Sequence, residues 1–388
     1  MKKIGVVTGT RAEYGLLRPV MEEIRDDPEA ELCLIVTGMH LSAQYGCTWR
    51  EIVKDGFRID HKIDMQLTSD TAGSVCASMG TELKGFAELF STQKPDILVL
   101  LGDRYEIQMA AVAAMIFCIP IAHIHGGELT EGLIDDAIRH SITKMSELHF
   151  TSTRTYADRV IQMGEQPDRV FCAGAPGVEN IKNMELYDRK ELCDTFGAVF
   201  GKPYVMVTYH PVTLENHTAK GQFENLLKVI SQHREYHYIF TGANADPDGR
   251  SINELIEQYV KCSQNADSFV SMGQKGYLSA VKHCEFVMGN SSSGIIEAPS
   301  FHVPTLNIGD RQRGRVRAQT VVDCGYSTQE IETGFAKVTD TAFRLKCREY
   351  GNPYEGKNVA QTIVKEIKKF LDGYGGKKKK FYDLEVQK

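Results

Sequence analysis

Hydrophobic positions along the first half of the chain alternate between short β-rich runs and stretches with helical spacing. Ile4 to Thr8 is a strand pattern that leads into a helical pattern from Tyr14 to Ile24, and Leu32 to Val36 follows as a second strand. A helical pattern from Ser74 to Phe90 then precedes Asp96 to Leu101, the most continuous apolar strand in the chain. Helix Tyr105 to Ile116, strand Pro120 to Ile124, helix Ile134 to Met145 and strand Leu148 to Thr151 complete this half. Strands that are apolar at nearly every position, each followed by a helix, predict a parallel sheet covered by helices on both faces.

Between Ala173 and Lys202 the pattern breaks into Gly, Pro and charged residues, which predicts a domain boundary. It restarts at Tyr204 to Thr208, followed by helix Gln222 to His233, strand Tyr236 to Thr241 and helix Ile252 to Val260. Strand Phe269 to Ser271, helix Tyr277 to His283, strand Phe286 to Met288, helix Ile295 to Phe301 and strand Pro304 to Ile308 come next. A last helix is expected over Val359 to Leu371. The reading is α/β: two Rossmann-like doubly wound domains, 1–175 and 176–368, facing a cleft, with a polar tail over 369–388. The four lysines Lys377 to Lys380 are expected to be solvated.

Composition narrows the function classes. The 388 residues are 42% hydrophobic and 25% charged, ordinary for a globular protein, and suffice for two cores. A net charge of −6 argues against nonspecific nucleic-acid binding, which rests on phosphate neutralisation. The longest apolar run, Met109 to Ala122, is too short to span a membrane and contains Pro120. No signal-peptide pattern precedes the first strand, so a cytoplasmic location is expected. Ten cysteines are scattered without a CxxC pair, which suits reduced thiols better than disulfides or a structural metal.

In open α/β sheets ligands bind beyond the carboxyl ends of the strands, so the loops there are the places to look for chemistry. After the first strand, Gly9 to Gly15 lacks GxGxxG, so no nicotinamide or flavin fingerprint is present. Arg11 opposes the dipole of the helix that starts there, a mild local cost that suggests a phosphate or sugar partner, although an exposed arginine fits equally. Asp103 lies between a strand and a helix, where it is either an N-cap or an acid–base group. His123, His125 and Glu128 crowd the end of another strand, with both histidines expected on one side of it. That arrangement also resembles a metal pair, but no further His or Cys is nearby. Asp135 and Asp136 open the following helix, and Asp135 and Arg139 are spaced to pair.

In the second half, His210 precedes Pro211 at a strand end, and Asn244 follows another strand. The segment Met288 to Arg313 has the order strand, small-residue turn, helix, strand. Its Gly289-Asn290-Ser291-Ser292-Ser293-Gly294 turn offers hydroxyls and backbone N–H groups at a helix start. An anion is favoured there by roughly 0.3–1 kcal/mol, and an ordinary serine N-cap would give the same letters. No lysine follows the glycine, so this is not a Walker loop.

Seven motifs, GTRAEYG, VTGMH, GDRYE, HIHGGE, DDAIRHSITK, YHPVT and GNSSSGIIE…NIGDRQRGR, stand in an order and spacing that resembles one family. That family is the hydrolysing UDP-N-acetylglucosamine 2-epimerases of bacterial sialic-acid synthesis, and the resemblance extends to about Tyr382. It implies a glycosyltransferase-B-type fold, usually a homodimer, that needs no metal or cofactor. The implied reaction is anti elimination of UDP to 2-acetamidoglucal, then hydration with inversion at C2 to give N-acetylmannosamine. Relatives that act on UDP-N,N′-diacetylbacillosamine, or that return UDP without hydrolysis, remain alternatives. By the same resemblance Asp103, Asp135 and Asp136 match carboxylates at the sugar, while Arg11 and Arg104 match nucleotide contacts. His210, Asn244, Ser291, Ser292, Glu297 and Arg311 match the UDP cradle. Many relatives carry Glu where this chain has His125, so the acid–base role there falls to His125 first and Glu128 second.

Overall fold

The computed structural model describes the chain apart from residues 68, 70, 131–133, 212–218, 243–248, 377 and 385–388. It divides into two units, the first comprising Met1–Glu128, Ile134–Asn180 and Tyr354–Lys388, the second Leu129–Leu133 and Ile181–Pro353.

The first unit is built on seven strands: β1 (Lys2–Thr8), β2 (Ala30–Thr37), β3 (His61–Ile63), β4 (Ile97–Leu101), β5 (Ile121–Ile124), β6 (Leu148–Thr151) and β7 (Val170–Cys172). They lie in the order β3-β2-β1-β4-β5-β6-β7. Every pairing is parallel, with Ile4 opposite both Leu32 and Ile97. The second unit repeats the plan with β8 (Tyr204–Thr208), β9 (His237–Thr241), β10 (Ala266–Phe269), β11 (Phe286–Gly289), β12 (Thr305–Ile308) and β13 (Val321–Cys324), in the order β10-β9-β8-β11-β12-β13. These are the two Rossmann-like domains expected from the pattern. In each, the chain turns back across its first strand, which makes the gaps β1/β4 and β8/β11 the topological switch points.

The inner strands are buried on both sides because helices cover both faces. All five residues of β4 and of β8 are buried. Helix Arg11–Asp26 turns Leu17, Val20, Met21 and Ile24 inward and starts with a capping box between Thr10 and Glu13. Helix Val359–Gly373 buries Val359, Ala360, Ile363, Val364 and Ile367 in the same core cluster. Its first two N–H groups donate to Glu179 at 2.7 and 2.9 Å.

That helix departs from the expected division at 175 and 368, since it covers the first sheet and not the second. An apolar stripe predicts a helix but does not name the sheet it will cover. The lysine-rich tail also departs from expectation: Lys379 Nζ reaches Glu165 at 2.7 Å and the carbonyl of Ser146 at 2.6 Å. The stretch from Ala173 to Lys202 is not irregular throughout, because Pro176–Asn183 and Arg189–Phe196 are helices. Strand β10 sits three residues before its expected start, and Val270, expected inside it, is 99% exposed. The helix expected over Ile295 to Phe301 is instead Ser292–Ile296 followed by a 3₁₀ turn, Ala298–Phe301, where Pro299 cannot donate to a continuing α-helix. Among the described residues no helix is long and apolar enough to cross a membrane.

Candidate active site

At the switch point of the first sheet, the loops after β1 and β4 meet. Glu13 draws the β1 loop inward by accepting from Gly9 N at 2.8 Å and Thr10 N at 3.2 Å. Beside it, Glu106 accepts from Arg104 Nε at 2.7 Å. Gly9 has to be glycine here, because a β-carbon would come within 2.5 Å of the Glu106 side chain. Burial raises the Glu13 carboxyl to about 8, with Glu106 adding to the effect. Arg104 is held firmly protonated, above all by Glu106. Arg11, on the exposed start of its helix, pairs with Glu51 at 3.0 Å.

Asp103 is not the N-cap of the helix Tyr105–Ile116; Arg104 occupies that position, in extended backbone. The Asp103 carboxylate instead meets the guanidinium of Arg139, which is 1% exposed. Arg139 also donates from Nη1 to the carbonyl of Glu128 at 2.9 Å and lies 3.6 Å from Asp136. Beyond any contact along its own helix, the side chain reaches across to Asp103 at the end of the neighbouring strand. Asp135 and Asp136 open the helix Ile134–Met145, and Asp136 also stands 3.5 Å from His140.

Of the two histidines, His123 lies in the next strand and His125 falls just beyond it. Strand β5 ends at Ile124, and His125 has φ 67, so the alternation of a strand no longer applies to it. His123 is wholly buried, with Nδ1 at 3.1 Å from Thr143 Oγ1 and Nε2 at 2.8 Å from the carbonyl of Gly102. Burial drops its imidazole to about 3, so it stays neutral and structural. His125 turns Nδ1 to Glu128 Oε1 at 2.7 Å, and Ser152 Oγ donates to the same oxygen at 2.9 Å.

The switch point of the second sheet is closed by an amide. Asn290 accepts from His210 N at 2.7 Å and donates to the His210 carbonyl at 2.7 Å. This ties the loop after β8 to the loop after β11. Gly289 permits the approach: its φ is 132, and a β-carbon would fall 2.0 Å from the Thr208 carbonyl. The carbonyl of Asn290 accepts from Arg311 Nη1 at 3.2 Å and Gln312 Nε2 at 2.9 Å. The site therefore gathers His210, Asn290, Arg311 and Gln312 at the ends of three neighbouring strands, β8, β11 and β12.

His210 is buried, which lowers its imidazole to about 3, with Arg311 reinforcing the effect; it is a neutral donor–acceptor and not a cation. Ser291 caps the helix that Ser292 begins, accepting from Ser293 N at 3.4 Å, so the cap reading of these serines holds whatever else they do. Glu297 ends that helix, and burial raises its carboxyl. Asn244 lies outside the described residues. Sequence reasoning passed over Asn290, Gln312, Ser152 and Glu13; the Thr10–Glu13 spacing was a capping-box signal that marks the last of them.

Both constellations lie beyond the carboxyl ends of parallel strands, where open α/β sheets bind ligands. The family described as UDP-N-acetylglucosamine 2-epimerase matches residues 22–368. The polysialic acid biosynthesis protein P7 of Escherichia coli is 40% identical over 385 residues, covering 99% of this chain and 98% of that protein. The GDP/UDP-N,N′-diacetylbacillosamine 2-epimerase (hydrolyzing) of Campylobacter jejuni is 42% identical over 344 residues, 88% of this chain and 89% of that one. The crystal structure of the Neisseria meningitidis UDP-GlcNAc 2-epimerase bound to UDP-GlcNAc shares the fold, with a TM-score of 0.82 at 19% identity over 95% of this chain and 100% of that chain. A match over nearly the whole length, with two relatives at 40% identity or more, settles the placement: this chain belongs to the UDP-N-acetylglucosamine 2-epimerase family.

Proposed function

We propose that this chain is a hydrolysing 2-epimerase that converts UDP-N-acetylglucosamine and water to N-acetylmannosamine and UDP. The reaction needs two things. The C2 proton of the sugar is barely acidic until loss of UDP from C1 builds oxocarbenium character, so the leaving diphosphate has to be stabilised. A general acid–base group then moves the proton, a contribution of about 10²–10⁴-fold. In this reading the second unit holds UDP through His210, Arg311, Ser291, Ser292, Glu297 and Asn244. The first unit supplies Asp103, His125, Glu128, Asp135 and Asp136 at the sugar and Arg11 and Arg104 at the nucleotide.

The observation that carries the reading is the gathering of Asp103, Arg139, His125 and Glu128 at adjacent strand ends of the first sheet. An ordinary nucleotide-binding module has no use for three titratable side chains, Asp103, His125 and Glu128, gathered in one place. A second reading, UDP-N,N′-diacetylbacillosamine as the substrate, is favoured by the Campylobacter relative.

The test is product analysis by proton NMR in heavy water with each UDP-sugar. UDP and the free 2-epimer should form at equal rates, with deuterium at C2. Turnover of only the diacetylbacillosamine compound selects the second reading. A 2-epimerised UDP-sugar without UDP release rules out hydrolysis.

A further inference from the structure

The His125–Glu128 pair has a more specific geometry than two neighbouring acid–base groups would require. The His125 main chain is tied by its N–H to the Phe150 carbonyl at 3.0 Å and adopts φ 67. A non-glycine residue in that region costs about 1–3 kcal/mol, and such strain clusters at functional sites. Glu128 is 2% exposed, its Oε1 shared by His125 Nδ1 and Ser152 Oγ, its carbonyl held by Arg139. With Nδ1–H directed at the carboxylate, Nε2 carries the lone pair. His125 Nε2 is buried and, among the described residues, has no hydrogen-bond partner. His123, by contrast, has both ring nitrogens engaged.

Resting on the hydrolysing-epimerase reading, we propose that His125 Nε2 accepts the sugar's C2 proton, that Glu128 is a positioning residue acting through Nδ1, and that Ser152 holds Glu128. In the elimination the Nε2 lone pair forms the new N–H bond. The C2–H pair becomes the C1=C2 bond, the C1–O bond breaks, and UDP leaves with that electron pair. Glu128 offsets the imidazolium formed, as the carboxylate does in a catalytic triad. Return of a proton to the other face of C2 is a separate step, and Asp103 stands on the neighbouring strand end, where Gly102 N donates to the Ile124 carbonyl at 3.0 Å.

The charged surroundings leave His125 as the histidine available for this step. His123 and His149 on the adjoining strands are held neutral-leaning by burial, as is His140 on the helix Ile134–Met145. Arg139 is occupied by Asp103 and the Glu128 carbonyl, and Arg159 by the Gly127 carbonyl.

The test uses the full chain and whichever UDP-sugar it hydrolyses. His125→Ala should lose about a hundredfold or more in kcat and recover part of it with added imidazole. Glu128→Gln should lower kcat about tenfold or more while KM stays within about twofold, and should enlarge the isotope effect seen with C2-deuterated substrate. Ser152→Ala should show the same pattern more weakly. A Glu128→Gln enzyme with an unchanged isotope effect, or a correctly folded His125→Ala enzyme that imidazole does not rescue, overturns the proposal. A wild-type chain that hydrolyses neither UDP-sugar overturns the functional reading and the dyad together, whereas an active wild type with an unaffected Glu128→Gln variant overturns the dyad alone.

Discussion

The guanidinium of Arg139 is almost wholly buried against the Asp103 carboxylate, with its other arm on the Glu128 carbonyl at 2.9 Å. An arginine cannot shed its proton in such a place, so a permanent cation stands against the Asp103 side chain.

The pair separates chemistry from stability. Asp103→Asn keeps the shape and should lower kcat at least about tenfold, with UDP affinity within about twofold of wild type. Arg139→Met removes the buried cation that meets Asp103, Asp136 and the Glu128 carbonyl and should destabilise the fold by about 1–3 kcal/mol in urea titrations, the scale of losing hydrogen bonds to a charged group. An Asp103→Asn enzyme that loses UDP affinity in step with turnover would return Asp103 to a structural role.

Asn290 makes a different kind of prediction, about binding. Its side chain satisfies both the N–H and the carbonyl of His210, and its own carbonyl gathers Arg311 and Gln312. Asn290→Ala removes both of its hydrogen bonds to the His210 main chain, at about 0.5–1.5 kcal/mol each. Calorimetric titration with UDP should show affinity weakened about tenfold or more, while the near-ultraviolet spectrum of the free protein stays near wild type. Unchanged affinity would move the UDP site away from the β8/β11 switch.

Strands such as β4 and β8 were legible because an unbroken apolar run has few other meanings in an alternating α/β chain. The short edge strand β3 was not, since three residues leave no period to read. The candidate site divided along similar lines. Residues at strand ends, such as Asp103 and His210, could be picked out because the architecture puts ligands there. Partners drawn in from elsewhere could not, and Ser152, a lone serine in the sequence, gains meaning only through the pairing of β5 with β6 that brings it to Glu128. The i,i+4 rule offered Asp135 for Arg139 but could not point to Asp103 or the Glu128 carbonyl, because it weighs only contacts along one helix and this arginine reaches beyond its own.

Glu82 gives a pH prediction with a definite sign. It is fully buried, with Oε1 accepting from Thr37 Oγ1 at 2.6 Å. Burial raises its carboxyl from 4.5 to about 9; the Thr37 bond opposes this and Glu106 and Glu13 add to it. The folded chain therefore takes up a proton that the unfolded chain releases between about pH 4.5 and 9, so this group's contribution to stability falls as pH rises through that window. Glu82→Gln has no proton to take up. The stability of Glu82→Gln relative to wild type should rise from pH 6 to pH 8.5 in chemical denaturation. A constant difference would mean that Glu82 is ionised in the fold.

The docked tail supplies the opposite sign. Glu165 is 1% exposed and meets Lys144 at 2.6 Å, Lys379 at 2.7 Å and His149 at 2.8 Å. Burial alone would raise its carboxyl, but His149, Lys144 and Lys379 together hold it down at about 2, against 4.5 for an ordinary glutamate. Its contribution is fully present above about pH 4.5 and is lost as pH falls through that value toward about 2. Lys379→Met removes one of the two lysine cations and also frees the segment whose Tyr382 N–H donates to the Gly164 carbonyl at 2.8 Å. The acid-unfolding midpoint of that variant should move to higher pH, and proteolysis should clip the tail faster than in wild type. If both stay where they are in the wild type, the contact between Lys379 and Glu165 contributes nothing to holding the tail on the first unit.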